Sequence, residues 1–333
     1  MAIVGLALCL YNTSVPIRLL DWLGQRATTA LAAGVLIGLV VPPLATLLRP
    51  ALVVFIILPL AIALTRIEWR DLWRFGRRWP LVLGLVAWMI VASPILTYWS
   101  LAWTPLPPAL IAGIVLMAAA PPIVSAAAIA LFLGLDAAII IVVTVASMWL
   151  VPFVLPPMAL VLLGLKIDIS LVEFMARLAA LVVVAFALAA LAKRWIGRDR
   201  LGTLARPLDG AAVLSMLFFV VAIMDGITAL ILDRPGYALL VTAMGFVYNL
   251  GLQVAGAGLF WGLGRRMALS VGLMSGNCNM GMVLVVLADR ADFDTVAFFA
   301  LAQIPMFMLP ALLLPLYRRL VKADPGAAPD NAI

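Results

Sequence analysis

The sequence predicts an all-α membrane protein: ten transmembrane helices laid out as two inverted five-helix repeats, with the fourth and ninth helices broken and crossing near the bilayer midplane. Three observations lead there. Of 333 residues, 66% are hydrophobic and only 11% charged, and the mean hydropathy is +1.22, far from the composition of a soluble domain. Apolar runs of spanning length recur along the whole chain, and a bilayer-crossing helix needs only about 20 mostly apolar residues. Those runs are interrupted at corresponding places in the two halves, as in many secondary carriers.

Taken in order, the spans are expected at about 27–48, 51–65, 80–103, 108–133, 137–163, 174–192, 208–232, 237–263, 267–288 and 295–317. The second is short and must borrow from its flanks or tilt little. The leading stretch, residues 1–20, has no basic start and is interrupted by Asn12, Ser14 and Pro16, so it reads as neither a signal sequence nor a full span. Residues 323–333 are rich in Pro and Ala and are expected to form a disordered cytoplasmic tail. The whole chain then forms one polytopic domain, with a first repeat at about 27–163 and a second at about 174–317.

The basic residues test this map independently. With the N-terminus inside, the cytoplasmic segments hold Arg18 and Arg26; Arg66, Arg70, Arg74, Arg77 and Arg78; Lys193, Arg194, Arg198, Arg200 and Arg206; Arg265 and Arg266; and Arg318, Arg319 and Lys322. These are 17 of the 22 Lys and Arg residues, while Arg49, Lys166, Arg177, Arg234 and Arg290 fall outside. A wrong helix count would scramble the bias, so ten spans with both termini cytoplasmic are favoured. An even-numbered whole made of two odd halves forces the halves to enter the membrane in opposite senses. The joints Gly134-Leu135-Asp136 and Ala291-Asp292-Phe293 recur at an offset of about 157 residues, as do the runs from Pro121 and from Cys278.

Composition also removes several chemistries. The chain contains no His, which excludes His metal sites, His proton relays and Ser-His-Asp catalysis. Cys9 and Cys278 form no zinc site and no disulfide framework. The net charge of +7 serves orientation in the membrane rather than nucleic-acid binding.

The interruptions carry the chemistry. The fourth span contains Ala118-Ala119-Ala120-Pro121-Pro122-Ile123-Val124-Ser125; two adjacent prolines remove two donors and clash with the preceding turn, so no regular helix runs through them. The freed carbonyls must face protein, water or an ion. The bland alternative is a kink tightened against a neighbour. The ninth span carries Ser275-Gly276-Asn277-Cys278-Asn279-Met280-Gly281, two amides bracketed by glycines in otherwise apolar sequence. Lone Asn residues often join helices, but this pair opposite a Pro-Pro break reads better as a site built from helix ends. Half-helix N-termini suit an anion, and C-terminal carbonyls suit a cation.

These residues resemble the bile acid:sodium symporter family from about Ala61 to Leu316. Ala63-Leu64-Thr65-Arg66-Ile67-Glu68-Trp69-Arg70 with Arg77, Arg78, Gly84 and Pro94 looks like its second-to-third helix joint. The stretch from Pro121 to Ser125, then Leu133-Gly134-Leu135-Asp136, Thr144, Ser147 and Pro152, follows its fourth and fifth helices. Tyr248-Asn249-Leu250-Gly251 resembles its eighth-helix motif, and Asn279-Met280-Gly281 its ninth. The resemblance implies a core domain holding the crossed helices and a panel domain that moves against it. It also implies sodium ligands, and here the chain departs: the family glutamate is replaced by Met274, and other ligand positions by Ala126, Ile140, Met89 and Cys278, while Ser125, Thr144 and Asn279 remain. Two hydroxyls with carbonyls hold an ion only weakly, so the usual two-sodium stoichiometry is expected to be lost. Related arsenite carriers use a fourth-helix cysteine and a ninth-helix carboxylate, and this chain has neither.

Other polar residues compete for roles. Asp225, in Ala222-Ile223-Met224-Asp225-Gly226, is a carboxylate within a span, where insertion costs about 2.5–3.5 kcal/mol. It is either a proton carrier or, if its helix ends early, part of an outer vestibule. Asp136 reads as a helix cap. Asn249 either reaches the crossing or joins two helices, and Gln303 falls where the resemblance implies cavity-facing polar residues. Most tryptophans, such as Trp79, Trp99 and Trp261, lie where interfacial anchors belong.

The expected function is therefore a secondary carrier, not an enzyme, in a plasma or inner membrane. By alternating access it would move a small organic anion or amphipathic acid. Pro122, Ser125, Gly276, Asn277 and Asn279 would bind at the crossing and Asn249 and Gln303 would line the cavity. Ser125, Thr144 or Asp225 would handle a coupling sodium ion or proton; no other cofactor is expected, and the partners are lipid and solute, with no nucleic acid. A proton-linked or facilitative exporter and a non-transporting sensor or scaffold are the competing classes.

Overall fold

The computed structural model describes residues 14–67, 78–164, 170–287 and 290–322, and every regular element among them is helical. In chain order the helices are α1 (Ser14–Gln25), α2 (Ala27–Val40), α3 (Pro42–Leu48), α4 (Leu52–Thr65), α5 (Trp79–Ala87), α6 (Ser93–Leu101), α7 (Pro108–Ala119), α8 (Ser125–Leu133) and α9 (Ala137–Leu163). There follow α10 (Leu171–Ile196), α11 (Arg198–Thr203), α12 (Ala205–Ile223), α13 (Ile227–Asp233), α14 (Pro235–Leu259), α15 (Arg265–Gly276), α16 (Met280–Leu287), α17 (Phe293–Leu301) and α18 (Gln303–Lys322). Among the described residues, seven stretches are long and apolar enough to cross a membrane. They are Pro42–Thr65, Trp79–Leu101, Ala137–Leu163, Leu171–Ile196, Ala205–Ile223, Pro235–Leu259 and Phe293–Val321. The expected joint at Glu68, Arg70, Arg74 and Arg77, the outer Lys166 and the tail 323–333 lie outside the described residues.

Two boundaries differ from the sequence reading. The first joint was expected near Arg49, but the chain breaks at Val41, with φ −122° and ψ 69°. Pro42 forces the residue before it out of the helical region, and Pro42 and Pro43 then start α3 where missing N–H groups cost nothing. Arg49-Pro50-Ala51 is only a tight turn between α3 and α4, so the short second span does borrow from its N-terminal flank. The leading stretch, expected to be interrupted through Ser14 and Pro16, is helical from Ser14 onwards. Pro16 falls in the first turn, where proline is tolerated.

The chain divides into two compact units, Met1–Ile67 with Ala176–Leu239 and Glu68–Met175 with Leu240–Ile333. In the first, α12 packs against α1, α2, α3 and α4. Gly34 and Gly38 let α2 approach it: a Cβ at Gly38 would lie 2.8 Å from Met224 Cβ, and one at Gly210 would run into the Leu20 carbonyl. Small residues at four-residue spacing serve this close approach, because lipid supplies no hydrophobic drive between helices. Leu20, Ile62, Leu201, Leu208 and Ala211 form a buried cluster there, and Arg66 pairs with Asp209 at 2.5 Å.

In the second unit, α7 packs against α6, α17 and α9. Gly113 sits against the fully buried Phe298 ring, 2.7 Å from where its Cβ would be. α5 and α6 are joined by a π-turn, Trp88–Ala92, in which the Ser93 amide donates to Trp88 O five residues back. The Ser93 hydroxyl donates within 3.0 Å of both Met89 O and Ala118 O, so carbonyls near Pro94 and at the end of α7 keep partners. Gly134 closes α8 at φ +70°, a conformation that needs glycine. The Asp136 carboxylate caps α9 by accepting from the Ile139 amide at 3.2 Å, as expected of it.

Candidate functional site

Both predicted interruptions are present and they meet. α7 ends at Ala119, Ala120 is extended at φ −70° and ψ 146°, and α8 begins at Ser125. α15 ends at Gly276, Asn277 leaves the helix at φ −97° and ψ 72°, and α16 begins at Met280. The two linkers lie antiparallel with Pro122 opposite Cys278. The Ile123 amide donates to Asn277 O at 2.8 Å, and the Asn279 amide donates to Pro121 O at 2.7 Å. Each break thus supplies what the other lacks, which is how non-helical backbone is tolerated in an apolar setting.

The helix ends around this cross are polar. Asn279 Oδ1 accepts from the Met282 amide at 3.3 Å and caps α16. Asn277 is fully buried; its Nδ2 donates to Leu273 O at 2.7 Å, while its Oδ1 has no partner among the described residues. Gly276 lies under α14: a Cβ there would come within 2.7 Å of both the backbone oxygen and Oδ1 of Asn249. Asn249 is 1% exposed, accepts from Gln253 Nε2 at 2.9 Å, and has no partner for its own Nδ2 among the described residues. Gln303, the first residue of α18, is equally buried, and both its amide atoms lack partners among the described residues.

Of the residues expected in the site, the structure brings together Pro122, Gly276, Asn277, Asn279 and Asn249. Ser125 is exposed at the start of α8. Thr144 and its neighbour one turn on, Ser147, are buried within α9 with unpartnered hydroxyls. Asp225 belongs to the first unit, in the turn where α12 stops. Thr46 Oγ1 and Arg49 Nη1 each donate to its carboxylate at 2.7 Å. Its helix ends at Ile223, two residues before it.

Where the resemblance implies sodium ligands, apolar side chains stand. Met89 and Met274 are fully buried, and the Met89 sulfur accepts from Ser275 Oγ at 3.6 Å. Trp88 Nε1 donates to the same Ser275 Oγ at 2.9 Å. Sequence reasoning missed this Trp88–Ser275 pair, and also Gln253 and Tyr317, whose hydroxyl donates to Gln253 Oε1 at 2.8 Å. Only Gln253, one helical turn beyond Asn249, left a signal that periodicity finds.

The profile of the Sodium Bile acid symporter family matches residues 50–234, more than half of the chain. The chain belongs to that family. No individually curated protein matches it. Together with the seven apolar helices, membership makes this sodium bile acid symporter family member a multi-pass membrane transporter of the bile acid symporter type. Within the match lies the Pro121-Pro122 break, while the break between α15 and α16 that completes the cross lies beyond it.

Proposed function

We propose that this family member is a secondary carrier of a small organic anion or amphipathic acid, working by alternating access without two-sodium coupling. The observation that carries the reading is the cross of α7–α8 over α15–α16, with the unpartnered amide atoms of Asn277 and Asn249 beside it. Orphaned polar atoms at this depth are costly, and a passing polar solute satisfies them. The N-termini of α8 and α16 add positive dipole ends that favour an anion. Ser125, Asn277 and Asn279 bind it with the backbone of Pro122 and Gly276, and Asn249 and Gln303 line its path. The ten-span, two-repeat layout and cytoplasmic termini accompany this reading, supported by the 17 basic residues assigned to the inside. The membrane is an inner or plasma membrane.

Sodium coupling fails on ligands. A cation needs several oxygens, best with a carboxylate, whereas Met89, Met274, Ala126 and Ile140 offer none. Thr144 remains as a residual ligand, and Asp225 is engaged by Arg49. The decisive experiment is uptake of a radiolabelled bile salt, taurocholate, by proteoliposomes in sodium and in choline medium. Equal uptake in both supports the reading; steep sodium dependence defeats the coupling claim, and no uptake in either defeats the substrate class.

A further inference from the structure

A hydrogen-bonded chain runs through the second unit from α18 to α14. The Tyr317 hydroxyl donates to Gln253 Oε1 at 2.8 Å, and Gln253 Nε2 donates to Asn249 Oδ1 at 2.9 Å. All three residues are nearly inaccessible, at 6%, 4% and 1% exposure. The chain ends at Asn249 Nδ2, which has no acceptor among the described residues, on a side chain whose Oδ1 would lie 2.7 Å from a Cβ at Gly276, beside the helix break. An amide chain of this kind has two polarities, because turning both amides over reverses every donor and acceptor. Tyr317 removes that freedom. Reversed, its hydroxyl would accept from Gln253 and leave its own buried hydrogen unpartnered, at a cost of a lost buried hydrogen bond.

Resting on the carrier reading above, we propose that Tyr317 and Gln253 are positioning residues that fix the polarity of Asn249, so that it offers an NH2 donor, never a carbonyl, to the solute. The site then selects solutes carrying an acceptor, such as a carboxylate or sulfonate oxyanion, through a charge-assisted bond. Neither residue touches the solute; both act through Asn249.

The test is taurocholate affinity of the purified full-length protein, with near-isosteric variants. Asn249→Asp keeps the bond from Gln253 but replaces the donor by a carboxylate oxygen, and is expected to bind more weakly than Asn249→Ala, which merely removes it. A structural role alone gives the opposite order and overturns the proposal. Tyr317→Phe frees the polarity, so that with the two polarities comparably populated about half of the sites present the donor, and a loss of about twofold is expected, in affinity rather than in maximal rate. In an Asn249→Ala background that loss disappears, because its route is gone; an undiminished loss there overturns the proposal. The Tyr317 hydroxyl is read separately by ultraviolet resonance Raman, as the difference between wild type and Tyr317→Phe. A donor signature supports the assigned polarity and an acceptor signature overturns it. If wild type binds no taurocholate, the anion reading fails while the Raman result still decides the polarity.

Discussion

Ile123 and Asn277 stand 154 positions apart in sequence, yet the amide of the first donates to the carbonyl of the second at 2.8 Å. With the reciprocal bond from Asn279 to Pro121 at 2.7 Å, two interrupted helices satisfy each other's backbone. The break in α7–α8 is imposed by sequence, since Pro121 and Pro122 cannot donate. Replacing both by Ala restores the donors and the helical option. The double variant is expected to be as heat-stable as wild type or more so and to have lost uptake, a separation that thermal unfolding and proteoliposome flux measure together. Retained uptake would show that the cross is dispensable.

Gly276 is where α14 comes closest to the cross. A methyl group there meets the Gln253 side chain and sits 2.7 Å from the Asn249 carbonyl oxygen, and a backbone atom cannot swing aside. Gly276→Ala should destabilise by about 1–3 kcal/mol through overpacking and reduce uptake as the helices separate. An unfolding midpoint equal to wild type would mean that α14 yields freely.

Asn279 combines two duties, an amide in the linker and the cap of α16. Asn279→Ala removes the cap, worth about 1 kcal/mol, and should abolish taurocholate uptake while leaving membrane insertion intact. Asn279→Ser or Asn279→Asp keeps a capping oxygen and should recover stability without recovering uptake. If both recover together, the cap alone matters and the solute contact lies elsewhere.

How much of this was legible in the sequence follows from the physics of each signal. Pro121-Pro122 and the Gly-Asn-Cys-Asn-Met-Gly run announce broken helices because prolines and paired amides inside an apolar span are local prohibitions, readable without partners. Asp136 as a cap is local in the same way. The joint at Val41 was misplaced because Arg49-Pro50 looks like a loop by charge, although a single Pro after a helix turn only starts the next turn, whereas Pro42-Pro43 forces Val41 out of the helix. Tyr317 was invisible, and Gln253 was marked only by its place one helical turn beyond Asn249. The meaning of Tyr317 lies in its contact with Gln253, 64 residues away.

Two sequence readings compete for Asp225, proton carrier and vestibule residue. Its carboxylate takes Thr46 Oγ1 and Arg49 Nη1, both at 2.7 Å, in an ion pair whose Arg is half exposed. It ties the end of α12 to the turn between α3 and α4. A partly exposed pair of this kind contributes on the order of 0.2–1 kcal/mol, and its strength falls with salt. Asp225→Asn keeps a hydrogen-bonding side chain but removes the charge, so the expected result is a small drop in unfolding midpoint that shrinks at high salt. Uptake should keep its wild-type pH profile, because the carboxylate is already engaged by Thr46 and Arg49. A flattened pH profile in Asp225→Asn, at normal expression, would restore Asp225 as the coupling carboxylate and make this carrier proton-linked.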